Sequence, residues 1–233
     1  SHEGGLQAKE YLAIYFADRV RNLSNVWMGA TVGCAQCHDH KYDPYTARDF
    51  YALGAFFADI DEAQHFRVGT NNLPTRRPPE LDVHSKRERM RLAELEKKLS
   101  SHTFATSEER KALEAELATL KKRQRKTMIT VATKPRTIRI LPRGDWLDES
   151  GPAVEPAFPA FLNKPGKPVQ SKRLTRLDLA NWLTDPAQGT GGLTARVMVN
   201  RFWYLVFGSG ISKQLDDFGG QGEAPVHPEL LDN

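Results

Sequence analysis

Cys34-Ala35-Gln36-Cys37-His38 constrains this chain more than any other stretch, because it gathers both cysteines of the 233-residue sequence and an imidazole into five positions. The sequence on either side sets that pentapeptide between two helices. From Gln7 to about Val26, apolar residues fall at Leu12, Tyr15, Phe16, Val20 and Leu23, the three-and-four spacing of an amphipathic helix. After the cysteines, Thr46-Ala47-Arg48-Asp49 has the form of a capping box, and Phe50, Leu53, Phe56 and Phe57 make an apolar stripe on the helix that follows.

Two thiols three residues apart with an adjacent imidazole form the attachment pattern of c-type haem: the sulfurs reach the two vinyl groups and His38 reaches iron as proximal ligand. Three other readings compete. A thioredoxin-type thiol pair would open a helix after a buried strand, a context missing here. A plain disulfide between Cys34 and Cys37 is the second. A zinc site would need two further ligands, and although His40 and His65 are available, there is no second cysteine pair.

A haem would need an apolar wall, for which Trp27, Met28, Tyr42, Tyr45, Phe50, Tyr51, Phe56 and Phe57 are at hand, although aromatics at helical spacing equally suit an ordinary helix-pair core. Trp27, Met28, Tyr42 and His40 join Cys34, Cys37 and His38 as candidate cofactor-binding residues. His40 stands too close to His38 to cross the macrocycle, so a propionate contact or a plain surface role suits it better. Met28, His65, Met198 and His227 are the distal candidates, and the distal ligand decides between electron transfer and reaction at iron. In an open-sided haem enzyme of peroxidase or oxidase type, His40, Tyr42 or Arg48 would be polar helpers. The polar run Asp39, His40, Lys41 and Asp43 either orients His38 and propionates or is a solvated turn.

The remaining sequence divides into two further stretches, giving 1–79 as the haem-binding unit, 80–127 as a helical hairpin and 128–233 as a small mixed unit of helix and loop. Pro74, Pro78 and Pro79 punctuate the first boundary. Leu81 to Lys126 reads as two helical arms, with a fresh N-cap at Thr106-Ser107-Glu108-Glu109. Met90, Leu92, Leu95 and Leu99 face Leu113, Leu117 and Leu120 across a thin antiparallel seam, so the hairpin is expected to project and to offer a surface to a protein partner. Thr130 to Leu141 reads as short edge strands around Pro135. Gly151 to Pro168 is a proline-rich loop; Leu174 to Leu183 and Thr194 to Phe207 are helices, the second stopped by Gly208, and Pro228-Glu229-Leu230-Leu231 starts another. The expected fold class is therefore mainly α, with short edge strands.

The net charge of +4 does not indicate a nucleic-acid surface, because the basic surplus sits between His84 and Lys126 and leaves the rest slightly acidic. No run of eighteen apolar residues is present, so no membrane span is expected. Arg143-Gly144-Asp145 with Asp148 and Glu149 lacks the ligand spacing of a calcium loop.

Several longer strings resemble the secreted planctomycete-type cytochrome c proteins, built from modules described as domains of unknown function. Ser1-His2-Glu3-Gly4-Gly5 and Val26-Trp27-Met28-Gly29-Ala30-Thr31-Val32-Gly33-Cys34-Ala35-Gln36-Cys37-His38-Asp39-His40-Lys41-Tyr42-Asp43-Pro44 are similar to the closing part of a first, cytochrome-associated module. Arg143-Gly144-Asp145, Leu193-Thr194-Ala195-Arg196-Val197-Met198-Val199-Asn200-Arg201-Phe202-Trp203, Asp217-Phe218-Gly219-Gly220-Gln221-Gly222-Glu223 and His227-Pro228-Glu229-Leu230-Leu231-Asp232 are similar to the opening of the planctomycete-specific module that follows. The resemblance implies a largely helical, secreted or periplasmic protein carrying haem c, with an adjoining cytochrome domain or a redox protein as electron partner, and a chain that is a piece of something longer. It implies no reaction.

Overall fold

The computed structural model describes residues 7–62, 80–101, 106–123, 125–162 and 172–232. The fold is mainly helical, and the described residues include two antiparallel sheets of two strands each. Ser1 to Gly5, His65, the proline linker from Asn71 to Pro79, and parts of the hairpin turn and of the Gly151 to Pro168 loop lie outside the described residues.

Packing groups residues 1–60 with 133–233 in one compact unit and 61–132 in another. The three stretches read from the sequence follow chain order, whereas the first and third share a core in space. In that core, α1 (Ala8–Leu23) packs on α2 (Ala47–Ala55) through Phe16, which meets Phe50 edge-on with ring centroids 5.8 Å apart and stacks on Tyr51 at 5.7 Å. Gly54 makes this approach possible, since a Cβ there would fall 1.9 Å from the Phe16 ring. Thr46 caps α2 as the sequence suggests: its hydroxyl accepts from the Asp49 amide at 3.1 Å, and the Asp49 carboxylate accepts from the Thr46 amide at 2.8 Å.

The later part of the chain closes over α2. Phe158 stacks between Phe56, at 5.3 Å, and Trp182, at 4.6 Å, the latter on α5 (Arg176–Thr184). Arg173 donates to the Ala55 carbonyl at 2.6 Å, a second partner for the end of α2 beside the Ala58 amide at 3.2 Å. β3 (Ile138–Arg139) and β4 (Ala153–Val154) pair antiparallel beside α2; β3 lies where edge strands are expected, whereas β4 lies in the stretch read as a proline-rich loop. α6 (Gly191–Phe207) ends at Gly208 in the left-handed conformation, φ 79°, and the short α7 (Pro228–Asp232) begins at Pro228.

In the second unit α3 (Lys86–Ser100) and α4 (Ser107–Lys122) form the helical hairpin, with Thr106 capping α4. Its base differs from the sequence reading. β1 (Glu80–Val83) and β2 (Arg125–Met128) pair antiparallel, Glu80 opposite Met128 and Val83 opposite Arg125, where helix was expected. The Ser85 and Glu88 capping box starts α3 only after β1. Within the seam Leu95 is fully buried, Met90 faces solvent, and Arg91 bridges to Glu116 through two hydrogen bonds of 2.8 Å.

Candidate functional site

The Cys34 to His38 segment is displayed from the core by its alternate residues. After α1 the chain takes a π-helical turn (Ser24–Met28), reverses at Gly29 in the left-handed conformation, φ 55°, and enters a 3₁₀ turn (Val32–Gln36). Val32 and Ala35 are fully buried and pin the turn, leaving Cys34, Cys37 and His38 exposed. Arg21 braces it from below: its guanidinium donates to Gln36 Oε1 at 2.6 Å, and its stem runs under Gly33, where a Cβ would come within 2.6 Å.

Two further clamps hold the turn. The buried Tyr51 hydroxyl donates to the Gln36 carbonyl at 3.1 Å. Gly144, at φ 73°, lies against Cys37, so that a Cβ there would stand 2.7 Å from Sγ. Burial pushes the Tyr51 phenol from 10.0 up to about 12. The folded chain therefore holds this proton more tightly than the unfolded chain, and stability is expected to fall as pH rises from about 10 to about 12. Burial first, and then the Asp43 and Asp49 carboxylates, also hold the Tyr45 phenol above its ordinary value. Denaturant midpoints of wild type and Tyr51→Phe across that range check the assignment, with Tyr51→Phe expected to show a shallower decline.

Cys34 and Cys37 are free thiols, not bonded to each other. His38 is oriented by its neighbour: Nδ1 lies 2.7 Å from the Asp39 carbonyl, which only accepts, so Nδ1 carries the proton and Nε2 the lone pair. The Asp39 carboxylate turns away and accepts from the Ala47 amide at 2.8 Å, at the start of α2.

His40 is neither a surface residue nor positioned to grip a propionate. It is buried, its Nδ1 accepts from the backbone amides of Asp43 at 2.9 Å and Tyr42 at 3.3 Å, and its Nε2 stands 3.0 Å from Thr31 Oγ1. With Nδ1 accepting, Nε2 carries the proton and donates to Thr31. His40 is thus the hub of the loop that presents His38, and the contact of 3.7 Å from Nδ1 to Asp43 Oδ2 is too long, and Nδ1 too occupied, for a hydrogen bond. The solvated-turn reading of Asp39 to Asp43 gives way to an ordered loop for this reason. The signal was a histidine and an aspartate three residues apart before Pro44, whose buried partners lie too far along the chain to read from order alone.

The aromatic candidates separate. Met28, Tyr45, Phe50, Tyr51 and Phe56 belong to the core, while Trp27 and Tyr42 are exposed, Tyr42 beneath the Lys41 ammonium at 5.2 Å. Of the distal candidates, Met28 is fully buried, Met198 is half-buried on α6 and His227 is exposed; His65 lies outside the described residues. Among the described residues no group of three or more His, Cys, Asp or Glu side chains is arranged to hold a metal ion.

The two ends of the unit meet beside this loop. Asp43 Oδ1 accepts from the Gly220 amide at 2.6 Å and the Gly29 carbonyl accepts from the Phe218 amide at 2.7 Å. Gly219 lies so near Asp43 that a Cβ would come within 2.4 Å of Oδ2. Asn200, fully buried on α6, exchanges two hydrogen bonds of 2.9 Å with the Ser212 backbone and sets the path of the segment leading to these glycines. Sequence reasoning did not assign Asn200, Asp43 or Gly219 to this junction.

No helix among the described residues is long and apolar enough to cross a membrane. Neither a curated protein nor a solved structure matches the chain. Residues 1–62 match the family PSCyt2, described as a protein of unknown function (DUF1549), and residues 175–233 match the family PSD1, likewise described as a protein of unknown function (DUF1553); the chain is similar to these two families at its two ends.

Proposed function

We propose that this chain carries one covalently attached haem c, through thioether bonds from Cys34 and Cys37, with His38 Nε2 as proximal ligand, and serves extracytoplasmic electron transfer. The observation that carries the reading is the donor set. Two free thiols stand exposed on a braced turn, and the neighbouring imidazole has its Nδ1 proton committed to a carbonyl and its Nε2 lone pair available. The similarity of residues 1–62 to PSCyt2 is in keeping with it.

A bound haem would supply a one-electron iron couple. The chain's own contribution is orientation. The Asp39 carbonyl fixes the His38 tautomer and ring orientation, while Arg21, Tyr51 and Gly144 keep the turn from unwinding. Met28 is sealed in the core and both His40 nitrogens are engaged, so Met198 and His227 stand as the distal candidates of the described chain. The electron partner on this reading is a redox protein or an adjoining cytochrome domain, and the compartment is periplasmic or extracellular, where haem attachment to thiols takes place. The hairpin remains a proposed surface for a protein partner.

Mass spectrometry of protein isolated from a host competent in haem attachment tests the proposal directly. The peptide containing Cys34 and Cys37 is expected to carry the mass of one haem, with both cysteines refractory to alkylation. Free thiols, a disulfide or a bare metal adduct on that peptide would sink it.

A further inference from the structure

A cavity of about 310 Å³ opens in the first unit between α1, α2 and β3, with Gln36 of the cysteine turn in its wall. We infer that it binds a small organic carboxylate, one acid group on an apolar body the size of a single ring. Nothing in the haem reading requires this site.

The floor is apolar. Phe16, Phe50 and Tyr51 are buried beneath the cavity, and Leu12, Ile138 and Trp146, each half-buried, make its sides. The Tyr51 hydroxyl is already spent on the Gln36 carbonyl at 3.1 Å. Water in such a space finds few partners, so an occupant that brings apolar surface gains by displacing it.

The rim carries charge. Lys9, Arg136 and Arg139 line the cavity, with Glu149 the one acid among its described wall residues. Glu149 is tied to Lys9 at 3.1 Å. Arg139 is exposed and forms no ion pair among the described residues, while one of its terminal nitrogens donates to the Gly151 carbonyl at 3.0 Å. The guanidinium is thus anchored, still accessible to solvent, and has N–H groups to spare. A guanidinium beside an apolar cavity fits a planar carboxylate through paired N–H···O bonds. Inorganic phosphate would meet the charge and leave the floor wet, and a neutral ring would fill the floor and leave the guanidinium unused. At about 310 Å³ the cavity is at the small end of ligand pockets, which run from about 300 to 1,000 Å³, and this limits the body to about one ring.

Phenylacetate is the probe, titrated by calorimetry into the protein as isolated, with 2-phenylethanol and inorganic phosphate as controls at constant ionic strength. Saturable binding of phenylacetate is expected, with the indole NMR signals of Trp146 shifting along the same isotherm, and neither control is expected to bind saturably or to displace it. Arg139→Gln keeps a donor for the Gly151 carbonyl and removes the charge; the side chain is exposed, so the fold is retained and affinity is expected to fall at least about tenfold. Trp146→Leu leaves the guanidinium in place, takes away part of the apolar wall and is expected to weaken binding several-fold. No saturable binding of phenylacetate, equal binding of 2-phenylethanol, displacement by phosphate, or unchanged affinity in either folded variant overturns the proposal, whichever group Cys34 and Cys37 prove to carry.

Discussion

If haem c is attached as proposed, a chain in which Cys34 and Cys37 are both replaced by serine is expected to emerge with no covalent haem at all, its visible absorption lost, while its far-UV circular dichroism stays that of the wild type. The separation follows from where the sulfurs stand. Both are exposed and neither bonds to the other, so the turn does not depend on them for packing or crosslinking. It depends on Val32 and Ala35 beneath, on Arg21, and on the Tyr51 hydroxyl. Attachment, by contrast, has no other thiols to use, because these are the only cysteines in the sequence. A variant that retained covalent haem would refute the assignment of the sulfurs; one that lost its helical signal would show them to be structural instead.

The largest expected loss of stability belongs to Phe50→Ala, at about 3–5 kcal/mol, the range for deleting a fully buried phenylalanine. Phe50 has no exposed surface and meets the rings of Phe16 at 5.8 Å and Tyr51 at 5.1 Å. Its removal leaves a hole between α1 and α2 directly behind the segment that carries the cysteines. The cost therefore reaches the site as well, since Tyr51 loses a neighbour that holds its hydroxyl against the Gln36 carbonyl. Urea denaturation measures the loss, with Leu177→Ala, on the exposed face of α5, as a reference expected to change stability by less than about 0.5 kcal/mol. A decrease for Phe50→Ala below about 1.5 kcal/mol would mean that the two helices close over the space far better than their packing suggests.

What the sequence disclosed was mainly local. The period of apolar residues in α1, the Thr46 and Asp49 cap of α2, the Thr106 cap of α4 and the Gly208 stop of α6 each involve residues within a turn or two of one another, and each is legible from spacing. β1 and β2 escaped because four-residue strands are stabilised by a partner more than forty positions away, and their charged residues suit a helix equally well. Even so, Ser85-Lys86-Arg87-Glu88 carries the capping pattern that would have set the start of α3 after a strand.

At the candidate site the same division holds. The pentapeptide and the role proposed for His38 rest on five consecutive residues. The occupation of His40 by Thr31 and by two backbone amides, the docking of Gly220 on Asp43, and the closeness of Gly144 to Cys37 join residues from two to 177 positions apart. The last two contacts also explain how residues 1–60 and 133–233 come to share one core, which no periodicity could report.

That shared core has a consequence for the order of events in the cell. The clamps on the cysteine turn include Gly144, and the ribosome adds the roughly seventy residues from Asp61 to Ala132 before it reaches that glycine. At synthesis rates of about 5–20 residues per second, several seconds pass in which the thiols belong to a nascent, unlocked segment. Until those residues are made the segment is pliant, and the finished protein then shuts it into a fixed shape.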